Sequence, residues 1–212
     1  MIPGVVAGAA VSRNLGNVIS LLHFDNGLFD EAGRNWVATG CSVVNAESKF
    51  GQGALYCPNV GSIRQIRCSD ANLPTLQDFT VELWLKPLKT SGLQSLFMVG
   101  TLSSPSIHIY QNGAGISASH SNTSIGEAVG SVAINNYHHV SFCRQGSLFR
   151  LFVDGVQVAS RTSSNAPITF TNGFGIGCDT SDFPLYGRID EFLLTTGLAL
   201  RTSNFVPPSS PY

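Results

Sequence analysis

Charge is scarce in this sequence. Asp, Glu, Lys and Arg together make up 12% of the 212 residues, against about 25% in an average globular domain. The balance is -1 and no run of Lys or Arg occurs. The clustered cations that grip a phosphate backbone are therefore missing, and no nucleic acid is expected as a partner. No stretch approaches the 18 apolar residues of a membrane span, so no membrane insertion is expected either. The N-terminus, MIPGVVAGAAVSRN, is apolar, but Pro3 and Gly4 interrupt it and its first basic residue, Arg13, comes after it. That is the reverse of a signal peptide's order, and the chain reads as mature.

The usual catalytic signatures are missing too. There is no G-x-S-x-G elbow, P-loop, H-E-x-x-H or Rossmann fingerprint. No Glu-x-Asp-x-Glu run sets two carboxylates on one strand face for glycoside hydrolysis. Asp190 and Glu191 are neighbours, and strand geometry expects them on opposite faces. The sequence therefore predicts no enzyme. GFGIG (173–177) follows ITFTN in a β context, which suits close packing or a bulge better than a phosphate. Five cysteines, Cys41, Cys57, Cys68, Cys143 and Cys178, show no Cys-x-x-Cys spacing. Their odd number, in β-like apolar runs, predicts reduced, buried thiols and a reducing compartment.

What the chain does contain is short alternation. About fourteen runs, among them VISLLHFD, WVATGCSVV, FTVELWLKP, SVAI, HHVSFCR and LFRLFVD, alternate apolar and polar residues between turn signals. So many strands predict an all-β fold of two packed antiparallel sheets. In FTVELWLKP the spacing puts Phe79, Val81, Leu83 and Leu85 on the core face. Trp84 falls on the other face, as outer cover or as a sugar platform. Asp154-Gly155 between LFV and VQV predicts a type I′ hairpin pairing Val153 with Val156 and Leu151 with Val158. His138 and His139 are adjacent on a strand, so they diverge and do not form a metal pair.

The ordered set LLHFD (21–25), KFGQGALYCP (49–58), FTVELWLKP (79–87), YHHVSFCRQGSLFRLFVDGV (137–156) and YGRIDEFLLTTGLALRTSNFVPPSSPY (186–212) resembles the laminin-G-like, concanavalin A-like lectin/glucanase superfamily. Tyr137 stands where the superfamily usually has Trp before His-Val. The resemblance implies a jelly roll over residues 18–200, between an N-terminal arm (1–17) and a Pro-rich C-terminal arm (201–212) packed on the domain. The ending, with Ile-Asp-Glu, Thr-Gly, Arg-Thr-x-Asn-Phe and a Pro-Pro tail closing on an aromatic, is similar to the version common in tailed-bacteriophage virion proteins.

Several expectations follow from that resemblance. The function implied is that of a non-enzymatic virion structural protein, assembled in the host cytoplasm, partnered by other virion proteins and by copies of itself. Its N-terminal arm would dock it on a neighbouring subunit. The alternative is a carbohydrate-binding module for host receptor or cell-surface glycans, with Trp36, Tyr110 and Tyr186 as candidate contacts beside Tyr137 and Phe183. No cofactor is required. Asp25 and Asp190, near the joined ends of the domain, are the candidate ligands of a structural calcium.

Overall fold

The computed structural model describes residues 17–60, 63–101, 104–121, 123–128, 132–164, 166–178 and 183–212. The proposed N-terminal docking arm thus lies, but for Asn17, outside the described residues. Fifteen strands follow in chain order: β1 (Val18–Leu22), β2 (Trp36–Thr39), β3 (Ser42–Val44), β4 (Ala54–Cys57), β5 (Arg64–Cys68), β6 (Phe79–Pro87), β7 (Leu93–Thr101) and β8 (Ser104–Asn112); then β9 (Gly115–His120), β10 (Thr123–Ala128), β11 (His138–Gln145), β12 (Leu148–Val153), β13 (Val156–Thr162), β14 (Phe174–Cys178) and β15 (Gly187–Thr196). The expected strand in SVAI is absent from its described residues, and TSIGEA, which lacks a clear alternating pattern, forms β10.

The strands form two antiparallel sheets. One has eight strands in the order β13-β12-β11-β6-β15-β4-β3, with β1 also paired to β15; the other has seven, β10-β9-β8-β7-β14-β5-β2. Alternation decides which side chains lie between them. Phe79, Val81, Leu83 and Leu85 of β6, Phe142 of β11 and Phe149 of β12 are buried against Phe97, Ile107, Ile109, Phe174 and Ile176 of the seven-stranded sheet. Phe79, Phe142 and Phe149 meet with centroids 5.7 to 6.2 Å apart, within the range of attractive ring pairs.

Asp154 and Gly155 have φ of 50° and 78°, the left-handed pair a type I′ turn needs. Val153 pairs with Val156 as expected, but Leu151 pairs with Ala159, because the register shifts by one residue after Phe152. A bulge of this kind carries no local sequence signal.

A second correction concerns the thiols. Cys41 and Cys57 are disulfide-bonded, whereas Cys68 and Cys143 are free and buried; the Cys178 side chain lies outside the described residues. Ser42 pairs with Tyr56, so Cys41 and Cys57 face each other across β3 and β4 with Cα atoms 4.3 Å apart. Pairing register, invisible in cysteine spacing, brought them together. Burial pushes the remaining thiols up, Cys68 to about 11.

The C-terminal segment lies on the outer face of the eight-stranded sheet. Arg201 grips the buried Glu82 carboxylate with Nε at 2.6 Å and Nη2 at 3.1 Å. Its guanidinium sits over the Phe205 ring at 4.3 Å. Phe205 packs edge-on against His139 and Phe152, and the Phe205 N–H donates to the Gly155 carbonyl. The Tyr212 hydroxyl meets His139 Nε2 at 2.8 Å, and the Tyr212 N–H donates to Glu191. Sealed under this strap, His139 is pushed down to about 4 by burial and is neutral at pH 7.

Candidate functional site

The sequence candidates separate into structural parts. His138 and His139 diverge: His138 Nδ1 meets Asp154 Oδ2 at 2.7 Å at the hairpin, while His139 belongs to the strap. Trp84 is buried on the outer face, edge-on to Phe50 and His139, with the Lys49 ammonium 4.1 Å over its ring. Trp36 turns inward, edge-on to Phe174 and Phe192, and its Nε1–H donates to Asp30 at 2.8 Å. Asp30 is buried and also accepts from the Ser20 hydroxyl and the Leu21 and Ala32 amides. Neither tryptophan is an open platform.

Tyr110 lies half-buried on the outer face of the seven-stranded sheet, its ring 4.9 Å from that of His108. His108 bonds the Ser95 hydroxyl and is pushed down to about 4 by burial. Tyr186 is half-buried, its N–H donating to Gln94 and its carbonyl accepting from Leu88. Half-buried Phe183 accepts at its carbonyl from Ser95 N–H.

Asp25 and Asp190 share a partner, the loop between β3 and β4. Asp25 Oδ1 accepts from Gln52 N–H at 2.5 Å and Gly53 N–H at 3.0 Å. Asp190 Oδ2 accepts from Lys49 N–H at 2.7 Å and Phe50 N–H at 3.1 Å, and its Oδ1 from Glu191 N–H. Calcium needs a shell of oxygens. In this structure Asp25 Oδ1 and both oxygens of Asp190 accept from N–H donors. Among the described residues no three His, Cys, Asp or Glu side chains form a metal-holding group. Burial pushes the Asp190 carboxyl up to about 7, with the Phe50 and Lys49 amides pulling the other way.

Asp190 and Glu191 depart from the expected opposition. Ile189 and Phe192 both enter the core, the β15 register breaks between Asp190 and Leu193, and Glu191 has φ 51°. Both carboxylates consequently reach the outer side, Asp190 toward the loop and Glu191 toward His23 at 2.9 Å and Tyr212. A left-handed glutamate costs roughly 1 kcal/mol and announces itself in no motif.

One depression collects polar side chains that the sequence reading did not group. Asn35, Val37 and Thr39 alternate along β2 and its entry; Gln65, Arg67 and Ser69 alternate along β5 and its exit. Because Val37 pairs with Arg67 and Thr39 with Gln65, the six form two rows on one outer sheet face. With Asp70 they line a cavity of about 350 Å³, within the size range of small-ligand sites. Next to Arg67 and Gln65 the register places Gly175 and Gly177. Without a side chain at Gly175, Arg67 lies across β14 and donates to the carbonyls of Gly100 and Asn172. Period-2 spacing could have found either row, but only strand pairing joins them.

Residues 61–198 match the laminin-G-type family of the concanavalin A-like lectin/glucanases superfamily, so the chain belongs to that family. No curated protein matches it in sequence. In structure it is similar to domain 4 of AbnA, an extracellular GH43 arabinanase of Geobacillus stearothermophilus seen with arabinotriose: TM-score 0.65, 19% identity, 86% of this chain and 94% of that one. It also resembles the receptor-binding domain of botulinum neurotoxin type G, with TM-score 0.63 and 14% identity over 87% of this chain and 49% of that one. The sialidase CBM40 of Ruminococcus gnavus, seen with α2,3 sialyllactose, gives TM-score 0.51 and 18% identity over 60% and 79% of the two chains. At these identities the likeness establishes the fold.

Proposed function

We propose that this chain is a non-catalytic recognition module that binds a neutral glycan in the depression between β2 and β5. The carrying observation is the convergence of Asn35, Thr39, Gln65, Ser69 and Asp70 around the exposed Val37 in about 350 Å³. Amide, hydroxyl and carboxylate groups supply donors and acceptors for sugar hydroxyls, and the valine supplies an apolar floor for ring C–H groups. Arg67, committed to two carbonyls, acts as a wall. The binding and receptor-binding domains that share this fold support the reading. A glycan array on the purified chain tests it: neutral oligosaccharide binding that is lost in Asn35→Ala and Gln65→Ala, with melting temperature unchanged, is expected. Binding untouched by both substitutions would refute it.

The second reading is a virion part that works by assembly with other particle proteins and with copies of itself. It rests on the segment Arg201–Tyr212, whose Arg, Phe and Tyr hold the strap and whose pattern is similar to that of tailed-phage virion domains. The two combine if the module displays its depression on a phage surface. Mass spectrometry of intact particles decides this: stoichiometric recovery supports the virion role, and absence from washed particles removes it.

A further inference from the structure

On the outer face of the eight-stranded sheet, away from the depression, four side chains stand in one row across adjacent strands. Arg188 pairs in register with both Tyr56 and Lys86. Tyr137, just before β11, continues the row beside Lys86. The Arg188 guanidinium lies 4.6 Å over the Tyr56 ring and the Lys86 ammonium 5.9 Å from the Tyr137 ring. Two cations side by side between two aromatic rings span three strand spacings, about 14 Å.

Like charges directly opposite on paired strands repel. Here one carboxylate, Glu47 from the loop between β3 and β4, answers both. It does so through a single oxygen: Oε2 takes Arg188 Nε at 2.9 Å and Lys86 Nζ at 3.4 Å. Glu47 takes only the Nε corner of the guanidinium, and Nη1, on the opposite edge, is buried without a partner. Glu47 itself is half exposed and is held in the left-handed region at φ 55°, with the Tyr137 hydroxyl donating to its carbonyl. A non-glycine residue in that conformation is strained, which the surrounding contacts must impose. The loop thus holds a half-exposed carboxylate over a pair of cations that it meets through one oxygen.

We propose that this row is a second binding site, for a saccharide bearing a carboxylate, in which the ligand's carboxylate replaces Glu47 between Arg188 and Lys86 and its rings run along Tyr56 and Tyr137. A planar carboxylate placed there can meet Nε and Nη2 of Arg188 together, the edge that Glu47 holds through Nε alone. The tyrosine rings offer apolar faces at both ends. This site is independent of the one between β2 and β5.

Calorimetry with tri-galacturonate, neutral galactotriose and tri-aspartate as probes tests it. Tri-galacturonate should bind, more weakly as ionic strength rises, and galactotriose should be silent in the same row. Arg188→Lys, which keeps the charge and loses the fork, should weaken binding by about tenfold, as should Lys86→Met, each the loss of a charge-assisted hydrogen bond. Glu47→Gln, which removes the competing carboxylate, should strengthen it severalfold. Asn35→Ala should leave it unchanged. The proposal is overturned if Glu47→Gln binds tri-galacturonate no better than the parent chain. It is equally overturned if, with Asn35→Ala and Gln65→Ala in place to silence the β2–β5 depression, galactotriose or tri-aspartate matches the acidic sugar.

Discussion

Replacing Arg201 with Met isolates the physics of the C-terminal strap. Burial alone would push the Glu82 carboxyl up; the Arg201 fork, with help from Ser141, outweighs it and holds the group below the ordinary carboxylate range. Removing one partner of a buried ion pair typically costs 3–5 kcal/mol, because the other charge is left uncompensated. Glu82 is fully buried and Arg201 about one quarter exposed. The lower end, about 3 kcal/mol, is therefore expected, or roughly 6–12 °C in Tm for a domain of this size. The pH dependence has a definite sign. With a depressed folded value, the Glu82 contribution is complete above the unfolded value near 4.3 and is lost as pH falls through the folded one. In Arg201→Met burial raises the carboxyl instead, so the gap between parent and variant should be largest at neutral pH and close in acid. Urea unfolding followed by tryptophan fluorescence across pH 3 to 8 measures it. Adding Glu82→Gln should recover most of the loss. A gap that does not vary with pH, or one of less than about 1 kcal/mol as for a surface pair, would refute the reasoning.

Other outcomes follow from single contacts. Gly155→Ala places a Cβ against the Phe205 carbonyl at a left-handed position, and should cost more than about 1 kcal/mol in chemical denaturation. The Cys41–Cys57 bond closes a loop of sequence separation 16; Cys41→Ser with Cys57→Ser should lose about 3 kcal/mol on the loop-entropy model, and an unchanged urea midpoint would contradict it. Asp190, raised to about 7, should make the Lys49 and Phe50 amide resonances titrate with a midpoint near neutrality. Its raised value also makes stability fall as pH rises from about 4 toward 7, a slope that Asp190→Asn should flatten.

Local and non-local features of the fold differ in how far the sequence encodes them. The core face of β6 and the Asp154-Gly155 turn were legible because each is set by a few consecutive residues: a period of two, and a pair that tolerates positive φ. The inward turn of Trp36 was not. Which face of β2 meets the core depends on Phe174 and Phe192, far along the chain, and on the buried acceptor Asp30. The shared outer side of Asp190 and Glu191 was hidden for a different reason, since strict alternation fails only where Glu191 takes φ 51°.

The sequence by itself determined that the chain is an all-β sandwich, since alternation with frequent turn residues leaves few other ways to bury so many apolar side chains. It also determined that the chain turns at Asp154-Gly155. Tertiary structure alone decided which strands lie together, and with them the disulfide of Cys41 and Cys57, the two rows around the β2–β5 depression, and the Tyr56–Arg188–Lys86–Tyr137 row. The two rows join strands far apart in the chain, and the disulfide spans the connection between β3 and β4. Their proximity is fixed by register across the sheet, which no local pattern encodes.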